Sequence, residues 1–197
     1  MRYRQCLVAA VLVVGVLAST TSPAFPQSFT TIDVPGAAFT VASGINNRGR
    51  IVGSYDGHGF LLDKGTFTTI DVAGALETHA LGINDRGEIV GFFNKMYLGR
   101  LGELRFQGGF LLDKGTFTTI EVGAPLTEAT GMNNRGQIVG FFPTNGIHGP
   151  FLGFLLDGDR DTFIVIDIGA AGTHALGIND RGEIVGFYNG VHGFVMH

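Results

Sequence analysis

The chain has 197 residues, a formal net charge of −4 at pH 7 and a single cysteine. This length fits one domain. Lys and Arg are not in excess, which argues against nucleic acid or an anionic membrane surface as a partner, because both require clustered basic residues.

The first 24 residues have the order of a secretory signal peptide. Arg2 and Arg4 precede a short apolar run, Cys6–Ala18, and small residues follow at Ser22 and Ala24. The run is short for a membrane span, although an uncleaved N-terminal anchor is the alternative. Cleavage would leave residues 25–197 as a secreted or periplasmic domain that does not insert into a membrane. That domain would have no cysteine and a formal charge of −6, because removal of Arg2 and Arg4 takes two positive charges from a chain with a charge of −4.

Four repeats follow the leader with a period of 38 to 50 residues. The stretch THALGINDRGEIVGF occurs twice without a change, at Thr78–Phe92 and at Thr173–Phe187. Each repeat contains four short runs rich in Ile, Val, Phe and Thr, and none of them has a helical period. Turn residues separate these runs, so each repeat is predicted to form four antiparallel strands. The spacing favours an all-β, four-bladed β-propeller, with a β-solenoid as the alternative.

The first strand of each repeat has the clearest pattern, Thr-x-Ala-x-Gly, as in Thr78-His79-Ala80-Leu81-Gly82. Alternation by two places Thr, Ala and Gly on one face, where small residues permit close approach of another backbone. The segment Phe29–Val34 resembles the fourth strand of a repeat, and the chain ends after a third strand. The N-terminal segment is therefore predicted to complete the last blade and close the ring.

The motif Gly-Ile-Asn-Asp-Arg-Gly-Glu-Ile-Val-Gly, followed by His-Gly-Phe, resembles the HAF repeat of exported bacterial proteins. The resemblance covers nearly all of residues 25–197. The His-Ala-Phe position of the family reads His58-Gly-Phe60 and His192-Gly-Phe194 in two repeats, and its histidine is replaced in the other two. The resemblance implies an extracellular or periplasmic repeat protein and no established activity.

Ligand contacts are expected in the loops that vary between repeats, because variable loops on a rigid scaffold are where function concentrates. The longest is Asn94–Gly108, for which a longer hairpin is the alternative. The candidate ligand-binding residues are aromatic, basic, acidic or amide residues of this predicted face: Tyr55, His58, His79, Tyr97, Arg100, Arg105, Glu128, Asn145, His148, His174, Tyr188 and His192.

The residue between Thr and Ala in the first strand changes from repeat to repeat: Val41, His79, Glu128 and His174. Ring symmetry would place the two histidines opposite each other with Glu128 between them. These three residues are therefore a candidate site for a divalent metal, the one candidate cofactor, or part of a ligand pocket. The alternative is that each side chain turns into the groove between two blades.

Other acidic residues have structural explanations. Asp33, Asp71, Glu121 and Asp167 share one repeated position and are expected to end strands by bonding turn amides. The segment from Asp157 to Asp161 has alternating acids but lacks the glycine and the distant glutamate of an EF-hand loop, which favours an extended turn.

Two classes of function fit the sequence. The favoured one is an exported, monomeric binding module for a glycan or a surface protein. The alternative is a hydrolase or lyase acting at the loop face, with metal assistance and with non-recurring acids such as Asp56, Glu77, Glu103 and Glu128 as candidates. Motifs for a serine hydrolase, a zinc protease or a P-loop do not occur, so no catalytic residue is assigned.

Overall fold

Fifteen β-strands make up the regular structure of the computed structural model, which describes residues 28–99, 102–122, 126–146, 149–158, 162–169 and 172–197. The described residues contain no helix. Ile32–His197 forms one compact unit, and Met1–Thr31 is grouped separately. The predicted signal peptide, residues 1–24, lies outside the described residues.

The strands form four antiparallel sheets in chain order, which we call blades 1 to 4. Blade 1 consists of β1 (Thr40–Ile45), β2 (Ile51–Tyr55), β3 (His58–Asp63) and β4 (Thr66–Ile70). Blade 2 consists of β5 (Glu77–Ile83), β6 (Ile89–Gly99), β7 (Gly102–Asp113) and β8 (Thr116–Ile120). Blade 3 consists of β9 (Glu128–Met132), β10 (Ile138–Pro143), β11 (Phe151–Leu156) and β12 (Phe163–Ile166). Blade 4 consists of β13 (Thr173–Ile178), β14 (Ile184–Tyr188) and β15 (His192–Met196). This arrangement confirms the predicted four-bladed β-propeller.

The turn between the first two strands of each blade is built by its asparagine and its glycine. In blade 2, the Asn84 side-chain oxygen accepts hydrogen bonds from the backbone N–H groups of Arg86 and Glu88, at 3.0 and 3.1 Å. Gly87 has a φ of 88°, which a residue with a β-carbon rarely adopts. The first residues of the turns also join neighbouring blades, because the Asn84 side chain donates to the Asn133 carbonyl.

The first strands of the blades approach one another through their glycines. A methyl group added to Gly82 would lie 3.3 Å from the Cα atom of Gly131. A methyl group on Gly131 would lie 3.0 Å from the Leu176 carbonyl oxygen and 3.2 Å from the Cα atom of Gly177. These distances confirm the predicted role of the small residues, because only glycine leaves room for this approach.

Three apolar cores lie between consecutive blades. The Ala residues of Thr-x-Ala-x-Gly in blades 2, 3 and 4 are fully buried, and each lies in one of these cores. Facing them are Val52, Val90 and Val139 of the preceding blades, which are also fully buried. The Thr and Ala side chains of these strands therefore pack against the preceding blade, whereas Gly82 and Gly131, which follow a β-bulge, approach the next blade.

Among the described residues, the junction between blade 4 and blade 1 has no such core. Val185, the counterpart of Val139, is 50% exposed, and Ile45 of blade 1 is 68% exposed. Blade 4 has three strands, and residues 28–39 form none, so the four-stranded last blade predicted from Phe29–Val34 is not formed. Val34 makes the contact with blade 1 that is typical of the repeat, because its N–H donates to the Thr40 hydroxyl as Val72 N–H does to Thr78. The missing pairing would join the two ends of the chain, which carries the largest loop-closure entropy.

The close approach of the first strands predicts that Gly131→Ala destabilises the protein by about 1–3 kcal/mol, because the added methyl group must displace backbone of blade 4. Gly193→Ala is the matched control, since its added methyl group would meet only one carbonyl oxygen, at 3.8 Å. Urea unfolding of both variants measures the difference. Equal stability of the two variants would contradict the packing described here.

Candidate functional site

A cavity of about 380 Å³ lies among the first strands of the four blades, and we call it the axial cavity. Its lining comes from the residues that alternate with the Thr-Ala-Gly face, together with two phenylalanines of the second strands. The lining residues are Ser43, Leu81, Glu128, Thr130, Phe141, His174, Leu176 and Phe187. Six of the eight residues at the two variable positions of Thr-x-Ala-x-Gly therefore meet in one place, and two of the predicted residues, Glu128 and His174, are among them.

Glu128, the first residue of β9, is held in the cavity wall by a single side chain. The Gln107 amide donates a hydrogen bond of 2.6 Å to its Oε1 atom. Burial raises the pKa of the Glu128 carboxyl above its ordinary value of 4.5, and the hydrogen bond from Gln107 opposes this rise. Glu128 forms no ion pair with a described Lys, Arg or His residue. The carboxyl is therefore a partly desolvated acid without a positive partner.

Gln107 reaches Glu128 because the base of a long hairpin is fixed to the start of blade 3. The Gln107 carbonyl accepts a hydrogen bond of 3.0 Å from Thr127 N–H, and Gln107 forms a bridge with Leu126. On the other side of the hairpin, the Asn94 amide donates to Glu77 at 2.7 Å. The hairpin base is thus attached to the first strand of blade 2 through Asn94 and to blade 3 through Gln107.

His174 lies among three phenylalanine rings. Its ring stacks on Phe187 with a centroid distance of 4.4 Å, and it lies 4.5 Å from Phe141 and 4.9 Å from Phe151. Burial lowers the pKa of the imidazole, so the neutral form is favoured at pH 7. The Nδ1 atom is enclosed and has no hydrogen-bond partner. Burying an unpaired nitrogen lone pair costs less free energy than burying an unpaired N–H. This difference favours the tautomer with its proton on Nε2.

The predicted metal triad is not assembled. No group of three His, Cys, Asp or Glu residues within the described ranges is placed to hold a metal ion. His79 stacks on Phe92, its cross-strand partner, with a centroid distance of 4.6 Å. Blade 2 contributes Leu81 to the cavity lining instead of His79. His174 stacks on Phe187 in the same way and does line the cavity, so the repeated motif alone does not determine whether this side chain reaches the lining.

Four further candidates form two pairs away from the axial cavity, each of a half-buried tyrosine and an exposed histidine. Tyr55 lies beside His58 with a centroid distance of 5.4 Å, and His58 Nδ1 lies 3.0 Å from an oxygen of Asp71. Tyr188 and His192 form the corresponding pair in blade 4, at 5.1 Å. These pairs lie at the junction of the second and third strands, and none of the four residues lines the cavity.

The remaining candidates are only partly described. Asn145 is exposed in a bend after β10. Arg100 and His148 lie outside the described residues, as do the side chains of Tyr97 and Arg105. The segment Asn94–Gly108 is not the predicted loop but an extended hairpin, in which β6 and β7 pair from Ile89 and Leu112 out to Gly99 and Gly102.

The sequence analysis missed Gln107, Thr130, Phe141 and Phe187. Three of these had a signal in the sequence. Phe141 and Phe187 each follow Ile-Val-Gly, and they pair across the strand with Glu128 and His174. Thr130 is two residues after Glu128 and so lies on the same face. Gln107 had no such signal, because its contact depends on how the long hairpin meets blade 3.

The opposite end of the propeller is occupied by its own hydrogen bonds. The Asn134 amide donates to Asp85 at 3.0 Å and to Asp180 at 2.9 Å, and the Asn47 amide donates to Asp85 at 2.8 Å. The bond from Asn47 is the largest contribution that lowers the pKa of Asp85. These acids join adjacent blades, so we assign them to the scaffold.

Two of the four repeated acids, Asp71 and Asp167, have local partners. Asp167 accepts a hydrogen bond of 2.8 Å from Gly169 N–H, as predicted for an acid that ends a strand. Asp71 contacts His58 instead.

Asp157 accepts hydrogen bonds from Gly158 N–H and the Gln137 amide, at 2.8 and 3.0 Å. The other two acids of the predicted extended turn, at 159 and 161, lie outside the described residues.

Comparisons with known proteins identify no relative: no protein-family model matches the chain, and no curated protein matches it significantly. Within the described ranges, no helix has the length and apolar character needed to cross a membrane. The geometry of the axial cavity therefore carries the functional argument.

The raised pKa of Glu128 gives a prediction for stability. Folding favours the protonated carboxyl, so this contribution is fully present below the unfolded pKa and is lost as the pH rises through the folded pKa. We expect Glu128→Gln, which keeps an acceptor for Gln107, to raise the Tm at pH 7 by about 2–4 °C. The gain should disappear toward about pH 4, the range in which an ordinary Glu is protonated.

The exposed acid Glu121 provides the control for this measurement, since Glu121→Gln removes the same charge without relieving burial. Thermal unfolding of both variants across the pH range checks the prediction. A lower Tm for Glu128→Gln than for the wild type at pH 7 would show that the carboxylate is stabilising and would contradict the prediction.

Proposed function

We propose that the protein is an exported carbohydrate-binding module whose ligand occupies the axial cavity. One observation carries the proposal: six of the eight residues at the two variable positions of Thr-x-Ala-x-Gly line this cavity, while the threonine, alanine and glycine of the motif repeat. Variation concentrated in one concave region of a repeated framework is typical of a ligand site.

The chemistry of the lining supports a sugar as ligand. A sugar has apolar C–H faces, and Phe141, Phe187 and the His174 ring provide aromatic surface within the lining. Its hydroxyl groups need donors and acceptors, and Glu128 and His174 supply them. The volume of about 380 Å³ falls in the range of small-molecule sites and limits the ligand to a few sugar rings at most.

Export is the second part of the proposal. It is supported by the order of charged, apolar and small residues in the first 24 residues and by the HAF-repeat resemblance of residues 25–197. A glycan outside the cytoplasm is a ligand that such a protein would encounter. A surface protein as partner has no comparable support among the described contacts.

The experiment is a glycan array with the mature domain, residues 25–197, followed by calorimetry on the glycans that bind. His174→Phe keeps an aromatic ring among Phe141, Phe151 and Phe187 but removes both nitrogen atoms. We expect it to weaken binding about tenfold, because one hydrogen bond contributes about 1 kcal/mol or slightly more.

His192→Phe is the matched control, because this histidine also contacts an aromatic ring but lies outside the cavity lining. It should bind as the wild type does. The proposal fails if no glycan binds the mature domain. It also fails if the two histidine variants have the same affinity.

A further inference from the structure

Glu128 gives the axial cavity a negative charge that no described group neutralises. Among the lining residues, Glu128 is the one acid, and none is Lys or Arg. His174, the one other titratable side chain of the lining, is held in its neutral form by burial. The single described partner of the carboxylate is the neutral amide of Gln107.

A carboxylate in this position is costly without a cation. Buried charges in proteins are normally paired, because desolvation is repaid only by an opposite charge or several hydrogen bonds. One hydrogen bond from an amide does not meet that requirement. The unmet attraction is directed at whatever occupies the cavity, so a ligand with a positive group gains an interaction that a neutral ligand lacks.

The aromatic rings of the lining favour the same kind of ligand. An ammonium group is attracted to the face of an aromatic ring, and the attraction is larger where water is excluded. Phe141 and Phe187 line the cavity with Glu128, and Phe141 is the cross-strand partner of Glu128. The carboxylate and the ring are thus adjacent by the register of β9 and β10.

We propose that the axial cavity selects a sugar with a free amino group, such as a deacetylated hexosamine unit. This inference rests on the proposed carbohydrate-binding function and specifies its ligand class. The ammonium group of the sugar pairs with Glu128, its hydroxyl groups meet His174, and its C–H face lies on the phenylalanine rings. An N-acetylated unit offers only a neutral amide and leaves the carboxylate without a counter-charge.

The test compares two trisaccharides that differ only in acetylation: the β-1,4-linked trimers of glucosamine and of N-acetylglucosamine. Calorimetry at about pH 6.5, where most of the amine is protonated, should give at least about tenfold tighter binding of the glucosamine trimer. Glu128→Gln should bring the two affinities together. Acidification through the raised pKa of Glu128 should weaken binding of the glucosamine trimer more than binding of the acetylated trimer.

Glu121→Gln is the control for a general attraction between a cationic sugar and an acidic protein. It changes the net charge by the same amount at an exposed site. This control should keep the preference. The inference is overturned if the acetylated trimer binds as tightly as the amine, or if Glu128→Gln retains the preference. In either case binding of other glycans would leave the proposed function intact, whereas absence of all glycan binding would reject both.

Discussion

The structure depends on the contact between glycines at the centre of the propeller. The first strands of blades 1 to 4 lie so close that a methyl group on Gly44 would meet the Leu81 carbonyl at 2.7 Å, and one on Gly131 would meet blade 4. This approach requires glycine at the fifth position of Thr-x-Ala-x-Gly in blades 1, 2 and 3, where an added methyl group would meet the next blade. The recurrence of this glycine along the chain therefore follows from the packing of consecutive blades.

The proposed site follows from the alternation along the same strands. A strand that packs its Thr and Ala against the preceding blade directs the intervening residues elsewhere, and six of these eight residues line the axial cavity. Their identity differs from blade to blade. The cost is visible at Glu128, whose pKa is raised by burial, and at the unpaired Nδ1 atom of His174. Local features that do not favour stability are expected at functional sites.

The fold and part of the site could be predicted from the sequence because both depend on local periodicity. The Thr-x-Ala-x-Gly pattern predicted the buried face, and the residue after Thr predicted Glu128 and His174. The contacts that were not predicted join distant segments. Gln107 reaches Glu128 through the docking of a long hairpin, and His79 does not line the axial cavity although it belongs to the same repeated motif as His174. The fourth junction is also non-local, since Val185 and Ile45 belong to opposite ends of the chain and remain exposed.

The most direct test of the account is to map where a glycan binds. Backbone amide resonances of the mature domain would be followed by NMR while the tightest-binding glycan of the array is added. The account predicts the largest shifts at Glu128, Thr130, His174 and Leu176, with little change at the turn residues Asn84 and Asn133. Shifts concentrated in those turns, at the opposite end of the propeller, would contradict the assignment of the axial cavity as the binding site.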